Sequence, residues 1–240
     1  MRSSERDTLL FLLAISAGSA DGWSYFGMGH AFVANMTGNT VLIGLGLFTK
    51  GGDVLHPLLA LGCYVAGAAA ASFLTRRVRP GATWARAITL ALLLEAVIMG
   101  CAEAAWIAIH HFGPGVHTET YLAVLLGWVA LATGLQSGAM LQLKIPGVVT
   151  TYITGTWTTL MNGLVRLKTT EKRDSARKKL EFEERLLMQA GILASYFLAA
   201  VLTGWFFRHN PLAVGALSAG SVWVVALYAA FRAGRTTSEA

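Results

Sequence analysis

Residues 35–40 read Asn-Met-Thr-Gly-Asn-Thr, and residues 152–157 read Tyr-Ile-Thr-Gly-Thr-Trp. These two stretches, the Thr-Gly motifs, both lie inside apolar segments. Each follows a second glycine-bearing stretch, the upstream element, at 18–22 in the first half and at 134–138 in the second. Glycine-interrupted apolar segments at matching places in two halves are typical of transporters that bind their substrate between internal repeats. The pattern predicts a repeat and favours transport.

The composition indicates a membrane protein. Hydrophobic residues make up 55% of the chain and charged residues 13%, whereas a typical soluble domain carries about 25% charged residues. Apolar stretches of about 20 residues, long enough to cross a bilayer, recur along the chain. We predict eight apolar segments, mostly helical, at 8–28, 31–49, 56–75, 86–110, 120–143, 147–168, 187–208 and 211–232.

The basic residues predict which segments cross the membrane. Cytoplasmic loops are rich in Lys and Arg, which places the N-terminus, the loop at 76–86 and the loop at 169–187 in the cytoplasm. Three apolar segments separate each neighbouring pair of these regions, yet two positions on one side require an even number of crossings. One apolar segment in each half therefore does not cross the membrane as a single span. The segments that carry the Thr-Gly motifs are the natural candidates, because unwound backbone is tolerated where it lines a cavity.

We therefore predict an all-α polytopic membrane protein with six net crossings and two discontinuous or re-entrant elements. Its two membrane repeats, 1–115 and 116–240, contain three crossings each and are inverted relative to one another. Both termini are expected in the cytoplasm and the loop at 110–120 outside. The charged stretch at 169–187 is expected to extend a helix into the cytoplasm.

The polar residues of the repeated elements are the candidate substrate-binding residues. Thr and Asn side chains can satisfy backbone groups freed by a helix break, or they can bind a ligand. The alternative is ordinary hydrogen bonding between helices. We expect the motif side chains to share one polar pocket near the bilayer centre. The candidates are Asn35, Thr37, Gly38, Asn39, Gln136, Thr154, Gly155 and Thr156.

Two acids inside apolar segments are candidates for coupling transport to an ion or a proton. Asp21 follows a strongly apolar run, and Glu95 lies within segment 86–110. A charge inside a membrane costs at least about 2.5 kcal/mol, so such residues are usually functional. A helix cap or an interfacial position is the alternative for Asp21, and structural pairing is the alternative for Glu95. We expect Asp21 to face the protein interior.

The sequence contains no recognised enzyme or cofactor signature, such as His-Glu-x-x-His, Gly-x-Ser-x-Gly or a phosphate loop. We predict no cofactor, no metal and no nucleic-acid partner. The expected partners are the lipid bilayer and a small-molecule substrate, and a homo-oligomer is left open. Four residues near the loop at 110–120 carry metal-ligating side chains without the spacing of a defined site. They are His110, His111, His117 and Glu119.

The repeated elements also resemble those of a known family. Residues 17–22 with 32–40, and residues 150–156, are similar to the paired signatures of the YoaK-type family of bacterial membrane proteins, domain of unknown function 1275. The resemblance spans nearly the whole chain. It implies a protein of the bacterial inner membrane and assigns no chemistry.

Three functions stay open. The first is a transporter or permease for a small solute, which a polar cavity joining both Thr-Gly motifs would favour. The second is an integral-membrane enzyme acting on a lipid or isoprenoid, which acids around a metal near Glu103 and His110 would favour. The third is a non-catalytic assembly subunit, which a fully packed bundle would favour. We expect transport before catalysis.

Overall fold

A computed structural model of the chain describes residues 3–78, 84–112, 118–143, 153–169 and 176–238. The described residues form helices joined by short turns and contain no strand. The helices are α1 (Ser3–Gly27), α2 (Met36–Gly46), α3 (Leu55–Thr75), α4 (Arg86–Phe112), α5 (Thr118–Met140), α6 (Ile153–Thr169), α7 (Ala176–His209) and α8 (Ala216–Ser238), with 3-10 turns at Leu141–Leu143 and Pro211–Ala213.

Six helices are long and apolar enough to span a membrane, which confirms the prediction of an all-α chain with six spans. The spans are Glu5–Gly27, Leu55–Thr75, Arg86–His111, Thr118–Leu143, Phe182–His209 and Pro211–Arg232. The two helices outside this set, α2 and α6, carry the Thr-Gly motifs. With 11 residues, α2 is about 16 Å long, half of the roughly 30 Å that a span needs.

The largest difference from the predicted segments lies before α2. Residues 28–35 are not helical, so the predicted segment 31–49 is a non-helical run followed by α2. The helix α2 begins at Met36 because the Asn35 side chain accepts a hydrogen bond from the Gly38 N–H at 3.1 Å and so caps the first turn. The long α7 begins at Ala176. This confirms the predicted helical extension over its described part.

Glycines bring the helices of the bundle into close contact. The largest contacts are α3 with α5 and α1 with α7, and α1 and α5 are the most buried of the six spans. Gly18 of α1 lies against the carbonyl of Tyr196, and Gly134 of α5 lies against the carbonyl of Tyr64. A methyl group at either glycine would overlap the carbonyl, so only glycine permits this approach.

Alanine at Gly18 or Gly134 should therefore lower the thermal unfolding temperature of the purified protein, because such overpacking costs about 1–3 kcal/mol. Gly62→Ala is the matched control, because no neighbouring atom lies within 4 Å of the added methyl group. Alanine at an open helical position is favoured over glycine by roughly 0.5–1 kcal/mol. Equal unfolding temperatures for Gly18→Ala and Gly62→Ala would contradict the close packing of α1 on α7.

Candidate functional site

A cavity of about 560 Å³ lies between the two halves of the chain. We call it the central cavity. Its volume falls within the roughly 300–1,000 Å³ of typical small-molecule sites. The first half contributes the residues around the start of α2, and the second half contributes the start of α6. The lining residues are Ala34, Asn35, Met36, Thr37, Tyr64, Ser137, Leu141, Ile153, Thr154 and Tyr196.

The two motif threonines present free hydroxyl groups to this cavity. Thr37 and Thr154 are each the second residue of their helix. In the first turn of α2, no helical carbonyl lies one turn before Thr37, so its hydroxyl cannot bond back along the helix. Among the described residues neither hydroxyl has a hydrogen-bond partner. In contrast, Thr40 and Thr158 donate to the carbonyls four residues earlier, at 2.9 and 3.1 Å.

Asp21 holds the non-helical run that leads to α2. Its Oδ1 accepts hydrogen bonds from the backbone N–H groups of Val33 at 2.8 Å, Ala34 at 2.7 Å and Asn35 at 3.3 Å. Its Oδ2 accepts a hydrogen bond from the Tyr196 hydroxyl. Four donors match the acceptor capacity of one carboxylate. The side chain is buried, which confirms that Asp21 faces the interior. Its coupling role stays a prediction.

The second half contains a corresponding pair of residues. Ser137 occupies the same place after Gly134 that Asp21 occupies after Gly18. The Tyr64 hydroxyl donates to the Ser137 Oγ at 2.7 Å, as the Tyr196 hydroxyl donates to Asp21. The same arrangement of glycine, polar residue and tyrosine thus occurs twice, with a carboxylate in one half and a hydroxyl in the other.

The Asn39 side chain bonds to the backbone of the protein and does not line the central cavity. It is fully buried. Its Oδ1 accepts from the Phe32 N–H at 2.9 Å, and its Nδ2 donates to the Phe32 carbonyl at 2.5 Å. The Phe32 ring packs where a side chain at Gly38 would lie. The prediction that Asn39 points into a shared pocket is therefore wrong, because its side chain bonds to Phe32 in the non-helical run before α2.

The remaining candidate residues also lie apart from the lining of the central cavity. Thr156 is buried one residue after Gly155. Gln136 is fully buried and its Nε2 donates to the Leu13 carbonyl at 3.1 Å, which joins α5 to α1. Glu95 is fully buried in α4, and its carboxylate has no hydrogen-bond partner among the described residues.

Sequence reasoning missed Tyr64 and Tyr196. The available signal was weak, because each is the one tyrosine of its long apolar helix, α3 or α7. No group of three His, Cys, Asp or Glu side chains in the described ranges is placed to hold a metal ion. His117 lies outside those ranges.

Comparisons with known proteins place the chain in a family. Residues 9–230 match the model of the family described as "Protein of unknown function (DUF1275)". The chain belongs to the DUF1275 family. It is 33% identical over 160 residues to the UPF0700 transmembrane protein YoaK of Bacillus subtilis (strain 168), an alignment that covers 66% of this chain and 67% of that protein. No solved structure matches. This DUF1275 chain is therefore a membrane protein.

We predict that Asp21→Ala destabilises the protein more than Ser137→Ala does. The first substitution leaves three backbone N–H groups without their acceptor, two of them on buried residues. Each buried donor left without a partner costs about 1–3 kcal/mol of stability. The second removes the acceptor of the Tyr64 hydroxyl and leaves no backbone N–H group of the run before α2 without its partner; the loss of a side-chain hydrogen bond costs about 0.5–1.5 kcal/mol. Thermal unfolding in detergent measures both. A loss of stability in Asp21→Ala no greater than that in Ser137→Ala would show that Asp21 does not hold the run before α2.

Proposed function

We propose that this protein is a transporter, or permease, for a small solute. The central cavity would be its substrate site, at the interface of two inverted repeats near the middle of the membrane. The observation that carries the proposal is that Thr37 from one half and Thr154 from the other line one cavity with unpartnered hydroxyl groups. A polar cavity at a repeat interface is the arrangement found in secondary transporters.

The helix contacts support two equivalent repeats, 1–115 and 116–240. The helices α1, α2, α3 and α4 can be matched in order with α5, α6, α7 and α8. Exchanging each helix for its match turns each main contact of the bundle into another observed contact. Under that exchange, α1 on α7 corresponds to α5 on α3, α1 on α8 to α5 on α4, and α2 on α3 to α6 on α7. With three spans in each repeat, the equivalent helices run in opposite directions through the membrane.

An ion pair between the chain ends supports an even number of crossings. Arg232, near the end of α8, pairs with Glu5, near the start of α1. The start of α1 and the end of α8 therefore lie at the same end of the bundle. The basic residues of the stretches 76–86 and 169–187 argue that this end is cytoplasmic, in a bacterial inner membrane.

The chemistry proposed for the site is recognition by hydrogen bonding. The described lining of the central cavity contains hydroxyl and amide groups and no charged side chain. Asp21 lies directly behind Tyr196 and is the first candidate for coupling to a proton or cation, and Glu95 is the second. Because the counterpart of Asp21 is Ser137, any coupling through this position would involve one repeat only.

The proposed orientation predicts opposite accessibility for two engineered cysteines. In a background without Cys63 and Cys101, Thr118→Cys should react with a membrane-impermeant maleimide from outside intact cells. Ser175→Cys should react only after the membrane is opened. Reaction of both positions from the same side would contradict three crossings per repeat.

The proposed site predicts that Thr37→Val and Thr154→Val each weaken binding of the transported solute. A thermal-shift screen against metabolite classes first identifies a ligand, because binding to the native state raises its stability. Each substitution should then cost about 0.5–1.5 kcal/mol of binding free energy, the worth of one hydrogen bond.

Thr158→Val is the matched control, since Thr158 lies on α6 and bonds to its own helix. Unchanged affinity in both motif variants, or an equal loss in the control, would remove the central cavity from the mechanism.

A further inference from the structure

A second cavity, the lateral groove, lies between α1 and α7 and encloses about 490 Å³. Aromatic side chains form much of its wall: Tyr25, Phe26, Phe32 and Phe197. Phe197 is 65% exposed and Phe26 48%. In a membrane protein, apolar side chains that are exposed on a spanning helix contact the acyl chains of the bilayer. The lateral groove thus opens toward lipid.

Small residues create this groove. Gly22 of α1 and Ala200 and Gly204 of α7 line it, so the two helices present little side-chain volume at its floor. Val201 also lines the groove and is 53% exposed. The depression is therefore a property of the α1–α7 packing.

One thin wall separates the lateral groove from the central cavity. Of the residues described around them, Asn35 and Tyr196 line both spaces. A single carboxylate holds both wall residues, because Asp21 accepts hydrogen bonds from the Asn35 backbone N–H and from the Tyr196 hydroxyl. Of these two wall residues, Tyr196 is attached to Asp21 through its side chain, whereas Asn35 is attached through its backbone.

We propose that the central cavity and the lateral groove together bind a single-chain amphiphile with an uncharged, hydrogen-bonding head group. The head group lies in the central cavity among the hydroxyls of Thr37, Thr154 and Ser137. The apolar chain lies in the lateral groove, and Tyr196 is the gate through which the molecule passes from the bilayer. This inference rests on the proposed function and names the substrate class of the same site.

The complementarity of the two spaces supports this occupant. Asp21 also lines the groove, but its carboxylate oxygens already accept four hydrogen bonds. Most of the other lining side chains are aromatic or small, so an apolar chain that moves into the groove from lipid exposes no apolar surface to water. The head group, which would lack partners in hydrocarbon, finds hydroxyl and amide partners in the central cavity. A fully water-soluble solute would make no use of the groove.

Access to the central cavity from the bilayer can be tested with a cysteine reporter. In the full-length protein without Cys63 and Cys101, reconstituted in phosphatidylcholine vesicles, Thr37→Cys is exposed to two reagents. N-dodecylmaleimide partitions into the bilayer, and a sulfonated maleimide stays in water. Val201→Trp fills the mouth of the lateral groove. Leu198→Trp is the matched control, because Leu198 is similarly exposed on α7 and does not line the groove.

We expect Val201→Trp to abolish labelling by N-dodecylmaleimide and Leu198→Trp to preserve it. Labelling by the sulfonated reagent should be unchanged in both variants, which also shows that they are folded. Tyr196→Phe should raise the rate of alkyl labelling about two- to tenfold, the factor that one hydrogen bond is worth.

Equal alkyl labelling in Val201→Trp and Leu198→Trp would overturn the lateral route. If the sulfonated reagent still reacts in that case, the proposed transport site stands and its substrate enters from water. Failure of both reagents to react with Thr37→Cys would instead count against the central cavity, and with it against the proposed function.

Discussion

The carboxylate of Asp21 is the group on which the arrangement of the first half depends. A chain can leave its helix inside a membrane only if the freed backbone groups find partners within the protein. Residues 28–35 are not helical, and several of their backbone groups bond to side chains. Asp21 accepts the N–H groups of Val33, Ala34 and Asn35, and the Thr133 hydroxyl donates to the Val33 carbonyl. Asn39 bonds to both backbone groups of Phe32. Side chains thus bind the backbone of residues 32–35 before α2, and the Thr37 hydroxyl is left to the central cavity.

The two halves reach similar geometry with different chemistry. Gly18 and Gly134 each lie against the backbone of a helix that carries a tyrosine. Each tyrosine hydroxyl donates to the polar residue one turn after that glycine, on α1 or α5. The first half uses a carboxylate that gathers four donors, whereas the second uses a hydroxyl. The wall at Tyr196 is therefore held by a charge-assisted hydrogen bond when Asp21 is ionised, and such bonds are roughly twice as strong as neutral ones. In a transporter with alternating access, this difference would make the two sides of the cavity unequal.

Much of the fold follows from hydropathy and charge alone, because length and polarity decide which segments can span a membrane. The repeat placed Thr37 and Thr154 among the candidates, and both line the central cavity. Roles that depend on helix rotation were not predictable. Gln136 and Ser137 are neighbours in sequence, yet about 100° separates them around a helix, so Ser137 faces the cavity while Gln136 bonds to α1. Tyr64 and Tyr196 gain their importance only from contacts between distant helices, which no local pattern in α3 or α7 encodes.

We propose that the two Thr-Gly motifs face each other across the central cavity. The decisive test is cross-linking of the double variant Thr37→Cys/Thr154→Cys with a short bis-maleimide, in a background without Cys63 and Cys101. We predict an intramolecular cross-link, seen as an altered mobility and mass of the monomer, and no such product when Thr154→Cys is replaced by Gly220→Cys, which lies exposed on α8. Failure of the motif pair to cross-link while each cysteine reacts singly would contradict a shared cavity.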